Sequence, residues 1–296
     1  MLKVSPVRLF PRLFNMKATE KVIYVEQSSY STIMVVDHGD LRCLKFSVNT
    51  KNVFQSCYYK RAPRKLVLNY TKLLFSGLLI NDSPKNVLII GLGGGILSNT
   101  LHTLYPESKI TNVEIDPVMT KVARDYFNFF ESDEVISINQ DGRLFVQTAQ
   151  TKKQTFDWII LDAFDSNYIP EHLVTKDFLE EVKSLLTNDG ILSANTFINS
   201  ALYDRESATY HSVFGDFFNV RNEDRYNRII LTSKQNLPTK NELTQRRKTL
   251  EKTRDLSVYD INLNDLEGFL TSTKEQHDWP KNTLILTDKH PPIGTG

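Results

Sequence analysis

The stretch "VLIIGLGGGILSNTLHTLYPESKITNVEID", from Val87 to Asp116, decides the fold of this 296-residue chain. Its first four residues are apolar and predict a buried strand, and a cluster of glycines from Gly91 to Gly95 follows directly. A helical stretch comes next, and then a second short strand that ends at Glu114. Glycines between a strand and a helix leave free backbone N–H groups and let a ligand approach the backbone closely. The stretch therefore predicts a βαβ unit with a ligand-binding turn.

The alternation of strands and helices continues beyond this unit. Three further apolar stretches predict strands, namely "VISIN" (Val135 to Asn139), "DWIILD" (Asp157 to Asp162) and "ILSANTF" (Ile191 to Phe197). The segments between them have helical spacing, and Gly190 is placed to end the helix before the last of these strands. We therefore predict an α/β fold, a Rossmann-like seven-stranded and mostly parallel sheet with helices on both faces.

The segment before this sheet has a different pattern. β-branched and aromatic residues up to about residue 60, with a turn at Asp37 to Asp40, predict a small antiparallel β unit, and Arg64 to Ile80 have the spacing of a connecting helix. We predict a flexible N-terminal arm (1–20), a small β domain (21–63) and a Rossmann-like nucleotide-binding catalytic domain with the connecting helix and a C-terminal extension (64–296).

Composition excludes several classes of protein. A formal net charge of +1, 40% hydrophobic residues and 24% charged residues are typical of a soluble globular chain. They indicate neither a nucleic acid nor a membrane as a partner. Cys43 and Cys57 are too few for a disulfide framework or a metal cluster. We expect them to be packing residues in a reducing compartment and the protein to be cytoplasmic.

Acidic residues close three successive strands of the predicted sheet. Glu114 follows Gly91 by 23 residues, the spacing at which an acid bonds the hydroxyls of a ribose. Asp141 follows the third strand, where a side chain can reach an adenine edge, and Asp162 closes the fourth. Because open α/β sheets bind ligands at the carboxyl ends of their strands, the pattern predicts a nucleotide site.

The glycine spacing restricts the nucleotide. A dinucleotide motif has glycine at its sixth position, where this chain has Ile96, and no Gly-Lys-Ser/Thr sequence follows as a P-loop would require. An adenosyl sulfonium such as S-adenosylmethionine carries no phosphate, so a different glycine spacing can bind it. We therefore expect S-adenosylmethionine or its decarboxylated form as the co-substrate, without a metal.

From about Tyr24 to Phe217, the chain resembles the spermidine synthase-like proteins, in which a small β domain precedes a class I methyltransferase-type sheet. The motifs that carry the resemblance are "GLGGG", "VEIDP", "QDGRLF" and "DAFDSNYIPEHLVTKDF". The resemblance implies transfer of an aminopropyl-type group from a sulfonium nucleotide to an amine acceptor such as a polyamine. Such proteins are often dimers, which implies a homodimer.

The resemblance also implies roles for single residues. The nucleotide is expected at the glycine turn, at the ribose acid and at the adenine site, that is at Gly91, Gly93, Gly94, Gly95, Glu114, Asp141 and Gly142. Asp162 matches the catalytic aspartate, and Asp165 a second acid that holds the amine. Tyr30 matches a tyrosine of the first hairpin, and Tyr168 and His172 are candidates for lining the acceptor pocket.

The chain departs from the family pattern at recognition residues. Gly94 replaces the aspartate that holds the amine of decarboxylated S-adenosylmethionine, Ser31 replaces the glutamine after the hairpin tyrosine, and "LNYTKLL" replaces a Tyr-His-Glu stretch. These departures leave two alternatives open. One is a methyltransferase that uses intact S-adenosylmethionine, and the other is a non-catalytic nucleotide-binding scaffold.

Overall fold

The computed structural model describes residues 19–46, 54–164, 169–223, 226–275 and 277–292, and within these ranges the chain forms two sheets. The strands of the small sheet are β1 (Lys21–Gln27), β2 (Thr32–His38), β3 (Leu41–Phe46), β4 (Ser56–Tyr59) and β5 (Ala62–Leu66). Those of the large sheet are β6 (Asn86–Ile90), β7 (Lys109–Glu114), β8 (Val135–Asn139), β9 (Phe156–Leu161), β10 (Leu186–Phe197), β11 (Phe218–Val220), β12 (Asn227–Ser233) and β13 (Leu270–Ser272).

Eight α-helices lie within the described ranges, and side-chain caps begin several of them. Their bounds are α1 (Asn69–Leu74), α2 (Ile96–Leu104), α3 (Pro117–Phe127), α4 (Gly142–Thr151), α5 (Lys176–Leu185), α6 (Tyr203–Phe214), α7 (Lys240–Thr253) and α8 (Leu263–Gly268). Asp116 caps α3, which has proline in its first turn, and Thr175 caps α5. Thr239 and Glu242 form a capping box at the start of α7.

The small sheet is an antiparallel meander with the order β1-β2-β3-β4-β5. The predicted turn at Asp37 to Asp40 joins β2 to β3, and Gly39 has a φ of 61° there. The sheet runs to Leu66, a little beyond the predicted domain boundary at residue 63. The division of the chain into an arm and two domains remains a prediction, and residues 1–18 lie outside the described residues.

Cys43 and Cys57 form a disulfide, which corrects the prediction that they are only packing residues. They are register partners on β3 and β4, their Cα atoms are 4.1 Å apart, and both are buried. A spacing of 14 residues in the sequence does not reveal that two strands will pair at these positions. The bond also removes the argument for a reducing compartment that the cysteines supplied.

Among the described residues, the large sheet has the order β13-β11-β12-β10-β9-β6-β7-β8, which is eight strands where seven were predicted. The five strands from β10 to β8 run parallel, as predicted, and β12 pairs antiparallel with β10. Strand β11 pairs antiparallel with β12. The additional strand is β13, a three-residue segment whose pairing with β11 no periodicity could reveal.

Two predicted helix bounds are wrong. The connecting helix was predicted for Arg64 to Ile80, but the first of these residues belong to β5, and α1 then continues as a 3₁₀ helix over Phe75–Leu79. Helix α5 ends at Leu185, and Gly190 lies inside β10, where the register with β9 shifts between Leu186 and Ile191. The glycine therefore belongs to an irregularity of the strand and not to a helix cap.

Helices cover both faces of the parallel strands and exclude water from them. On one face, α5 buries Phe178, Leu179, Val182 and Leu185, which recur at helical spacing. On the other face, Trp158 of β9 is fully buried, and its indole N–H donates to Ser193 on β10 at 3.0 Å. No helix in the described part of the chain is both long and apolar enough to span a bilayer.

Candidate active site

The glycine turn joins β6 to α2 and lies against the end of β9. The Gly91 N–H donates to the Val113 carbonyl at 2.8 Å, and the φ of Gly91 is +96°. A Cβ at Gly91 would lie 2.3 Å from the backbone oxygen of Asp162. Only glycine fits at this point, because any side chain would collide with the backbone of the neighbouring strand. The turn and Asp162 are thus in direct contact, as the topology of the predicted sheet requires.

The small sheet also reaches the turn, at Gly94. The Gly94 N–H donates to the Ser56 Oγ at 2.9 Å. A Cβ at Gly94 would lie 2.9 Å from the Ser56 Cβ and 3.0 Å from the Phe127 ring. The space in which the family aspartate would begin is therefore occupied by Ser56 and Phe127. Ser56 follows a segment outside the described residues and was not singled out in the sequence.

Glu114, at the end of β7, faces the glycine turn. Its Oε2 accepts from the Leu92 N–H at 3.0 Å, and its Oε1 accepts from the Asp116 N–H at 3.0 Å. Burial raises the pKa of Glu114, although the hydrogen bonds from the two N–H groups lower it. Since a carboxylate has about four acceptor positions, this one retains capacity for a ligand hydroxyl beside the turn.

Asp141 and His172 form a pair, although the sequence suggested separate roles for them. The Asp141 Oδ1 caps α4 by accepting from the N–H groups of Arg143 and Leu144, and its Oδ2 lies 2.8 Å from the His172 Nε2. Burial alone would raise the pKa of Asp141, but these hydrogen bonds and the His172 charge lower it overall. Gly142 follows the cap, and a Cβ there would lie 2.6 Å from Ile90 Cγ2.

Asp162 comes directly after β9, and the side-chain amide of Asn195 forms a hydrogen bond with its carboxyl group. Its N–H donates to the Ile90 carbonyl at 2.8 Å, and its Oδ1 accepts from the Asn195 Nδ2 at 2.8 Å. The Asn195 Oδ1 in turn accepts from the Asn227 Nδ2 at 2.9 Å. Burial raises the pKa of Asp162 to about 7, and the bond from Asn195 opposes this rise. A carboxyl group with this pKa can exchange a proton near neutral pH.

Tyr70 is a further residue near Asp162. Burial raises its pKa well above that of free tyrosine, and the Asp162 charge adds to the rise. Its hydroxyl donates to the Gln55 carbonyl at 2.8 Å. Tyr70 stands in the "LNYTKLL" stretch, so the segment that departs from the family motif still supplies a phenol near the aspartate. The signal available in the sequence was a tyrosine on a connecting helix that is otherwise mostly apolar.

An apolar cavity lies beside Asp162, between the carboxyl ends of the central strands and helices α5 and α6. Asn195 contributes a polar group to its wall, and the remaining lining is apolar except for the Tyr210 hydroxyl. That lining consists of Ile90, Leu161, Ala163, Ile169, Leu173, Phe178, Ala194 and Tyr210. The cavity is small, with a volume of about 10 Å³, which is close to the space that one water molecule needs.

The structure gives less support for the remaining predicted site residues. Asp165 and Tyr168 lie outside the described residues. The Tyr30 side chain is 56% exposed in the turn between β1 and β2, and no hydrogen bond or ring contact of the described residues joins it to Asp162. Gly93 and Gly95 complete the turn, and Gly95 is the residue before α2. Roles for Tyr30, Asp165 and Tyr168 remain predictions.

Comparison with known proteins gives one family. Residues 69–221 match the model of the spermine/spermidine synthase domain. A polyamine aminopropyltransferase of Vibrio vulnificus is 40% identical over 273 residues, which are 92% of this chain and 90% of that protein. The match extends beyond the large sheet, because 92% of the chain includes most of the small sheet as well.

Two solved structures resemble this fold. A spermidine synthase in complex with the transition-state analogue AdoDATO aligns with a TM-score of 0.65 and 21% identity over 83% of each chain. Human methyltransferase-like protein 13 in complex with SAH aligns with a TM-score of 0.58 and 30% identity, over 63% of this chain and 92% of that chain. The sequence motifs, the two-sheet architecture and the extent of these matches agree: the chain belongs to the spermine/spermidine synthase family, a family of transferases with a methyltransferase-like fold.

Proposed function

We propose that this protein is a polyamine aminopropyltransferase, which moves the aminopropyl group of decarboxylated S-adenosylmethionine to an amine acceptor. The observation that carries the proposal is Asp162, a carboxyl group with a pKa of about 7 in contact with the glycine turn. The relative named polyamine aminopropyltransferase, at 40% identity over nearly the whole chain, supports the same reaction.

The nucleotide lies across the carboxyl ends of β6, β7 and β8 in this proposal. The turn from Gly91 to Gly95 receives the sulfonium end of the nucleotide, because its glycines permit close backbone contact. Glu114 accepts hydrogen bonds from the ribose hydroxyls. Asp141 and Gly142 border the adenine, and the His172 ring, held by Asp141, lies beside it.

Proton transfer is the step that needs a side chain. An aliphatic amine has a pKa near that of lysine, about 10.4, so it arrives as an ammonium ion. Asp162 binds this cation and takes one proton, which frees the nitrogen lone pair. The lone pair forms a C–N bond with the methylene carbon beside sulfur while the C–S bond breaks, and its electron pair remains on sulfur. The sulfonium is thus its own leaving group, and in-line placement supplies much of the acceleration.

We expect Asn195→Ala to move the acid limb of the pH profile of kcat/KM to higher pH. The bond from Asn195 favours the charged carboxylate and therefore lowers the pKa of Asp162. Without it that pKa rises, so a higher pH is needed to produce the base. Ser193→Ala is the matched control, because Ser193 lies on the same strand and bonds Trp158 instead. An acid limb that stays in place or moves to lower pH would contradict the role of Asn195.

We expect Glu114→Gln to weaken binding of the nucleotide about tenfold, with a smaller effect on turnover at saturation. An amide has one oxygen where the carboxylate has two, so a ribose hydroxyl competes with the backbone N–H groups of Leu92 and Asp116 for it. Isothermal titration with the nucleotide measures the change, and Glu107→Gln, at an exposed acid, is the control. Equal affinities of the two variants would show that Glu114 only supports the turn.

One observation favours a second function, methyl transfer from intact S-adenosylmethionine. Ser56 and Phe127 fill the space beside Gly94, so no acid at that position can anchor a bare aminopropyl amine. The structure with 30% identity, in complex with SAH, is a methyltransferase-like protein. In this alternative Asp162 would serve the same purpose, since a protonated acceptor amine must lose a proton before either transfer.

A donor comparison tests the proposed function directly. The purified protein is incubated with putrescine, spermidine and other diamines, once with decarboxylated and once with intact S-adenosylmethionine, and products are identified by mass spectrometry. We expect aminopropyl adducts with the decarboxylated donor. Methylated amines with the intact donor, and no aminopropyl adduct, would establish the alternative and overturn the proposal. A homodimer and a cytoplasmic location remain predictions.

A further inference from the structure

A cluster of two histidines and an aspartate lies where three elements of the fold meet. His211 stands in the last turn of α6, Asp216 just before β11, and His277 in the segment after β13. The Asp216 Oδ1 is 3.7 Å from the His211 Nε2 and 3.9 Å from the His277 Nε2. One nitrogen or oxygen from each of the three side chains lies within 4.8 Å of the other two.

The geometry points to a Zn²⁺ site formed by His211, Asp216 and His277, with water as the fourth ligand. Imidazole nitrogen and carboxylate oxygen are established zinc ligands, with bonds of about 2.0–2.2 Å that place tetrahedral donors about 3.4 Å apart. The three donor atoms lie within 4.8 Å of one another, so they must approach by up to about 1.4 Å to reach this spacing. All three are partly exposed, at 36%, 36% and 41%, so an ion and a water can enter from solvent.

The residues around the cluster hold its ligands in place. The Thr273 hydroxyl donates to the Asp216 Oδ1 at 3.3 Å, and Thr273 itself is buried and bonded to the backbone of Phe217. The His277 ring stacks on Trp279 at a centroid distance of 4.5 Å, and Trp279 stacks on Phe217. Metal sites depend on partners of this kind, which orient the ligands before the ion binds.

The site lies away from the candidate active site and has no part in the proposed reaction. Since β11 and β10 both pair antiparallel with β12, they run in the same direction, and the start of β11 lies at the edge opposite Asp162. An ion there would join the end of α6 to the edge of the sheet and to the C-terminal segment. Such an ion would stabilise the junction of these three elements, and the inference does not depend on the proposed function.

Zinc titration of the metal-free full-length protein tests the inference. We expect the wild type to bind one equivalent of ZnCl₂ in calorimetry, and His277→Gln and Asp216→Asn each to weaken binding by a factor on the order of 10². His290→Gln, which changes an exposed histidine outside the cluster, should bind like the wild type. Zinc should raise the melting temperature of the wild type and of His290→Gln, but not of His277→Gln.

Two results would overturn the inference. One is a wild type that takes up no zinc under these conditions. The other is a His277→Gln variant that binds zinc as tightly as the wild type, which would place the ion elsewhere on the chain. Because His277 is partly exposed, its substitution should leave the fold intact, and His211→Gln supplies a second variant with the same expected loss of binding.

Discussion

Replacing Asp162 with asparagine should lower turnover by a factor on the order of 10² or more while leaving nucleotide affinity nearly unchanged. Asparagine keeps the shape of the side chain and an oxygen for the Asn195 amide, but it cannot take a proton from the acceptor ammonium. Steady-state kinetics and calorimetry on the same preparation measure the two quantities. Asp157→Asn is the matched control, since Asp157 is a partly buried acid at the other end of the same strand.

Asp162→Asn should also change how the free energy of unfolding depends on pH. The folded-state pKa of about 7 lies above the unfolded value, so the folded protein binds more protons between the two pKa values. In that range the free energy of unfolding of the wild type should fall as pH rises, and Asp162→Asn should lack this part of the slope. Turnover equal to the wild type, or a collapse in nucleotide binding, would contradict the assignment of Asp162 as the base.

Gly91→Ala should have the largest structural effect of any single methyl addition in the turn. The added Cβ meets the Asp162 backbone oxygen at 2.3 Å, and the residue must also hold a φ of +96°. Backbone strain costs about 1–2 kcal/mol, and a forced displacement adds about 1–3 kcal/mol. The turn and the end of β9 must separate, so we expect a lower free energy of unfolding, weaker nucleotide binding and little turnover.

Gly215→Ala separates the two contributions. Gly215 has a φ of +75°, but a Cβ there meets nothing within 4 Å, so this variant carries the backbone strain alone. Chemical denaturation of both variants, with a chelator present, gives the difference in unfolding free energy. Equal destabilisation by the two alanines, together with normal nucleotide binding by Gly91→Ala, would show that the turn does not need its contact with β9.

Local pattern was enough to predict the parallel sheet, and it also predicts a site at one edge of that sheet. The central strands β6 and β9 are buried apolar runs, and a parallel sheet brings the carboxyl ends of its strands to one edge. The glycines at 91–95 and the acids Glu114, Asp141 and Asp162 stand at those ends in the sequence itself. The family motif "DAFDSNYIPEHLVTKDF" then supplied the class of reaction.

Contacts between distant segments could not be predicted in this way. Asn195 lies on β10 and Asn227 on β12. The pairing of β10 with β9 brings Asn195 to Asp162, and the pairing of β10 with β12 brings Asn227 to Asn195. Ser56 reaches Gly94 across 38 residues of sequence. The disulfide and the short strand β13 depend likewise on which strands become neighbours. Tertiary packing decides which strands become neighbours, and hydrophobic periodicity along the sequence carries no information about it.

Calorimetry with decarboxylated and intact S-adenosylmethionine, side by side on the wild-type protein, tests the central claim most directly. An aminopropyltransferase site must accept the donor that lacks the carboxylate, so we predict tighter binding of the decarboxylated form. Tighter binding of the intact form, or no binding of either nucleotide, would contradict the account.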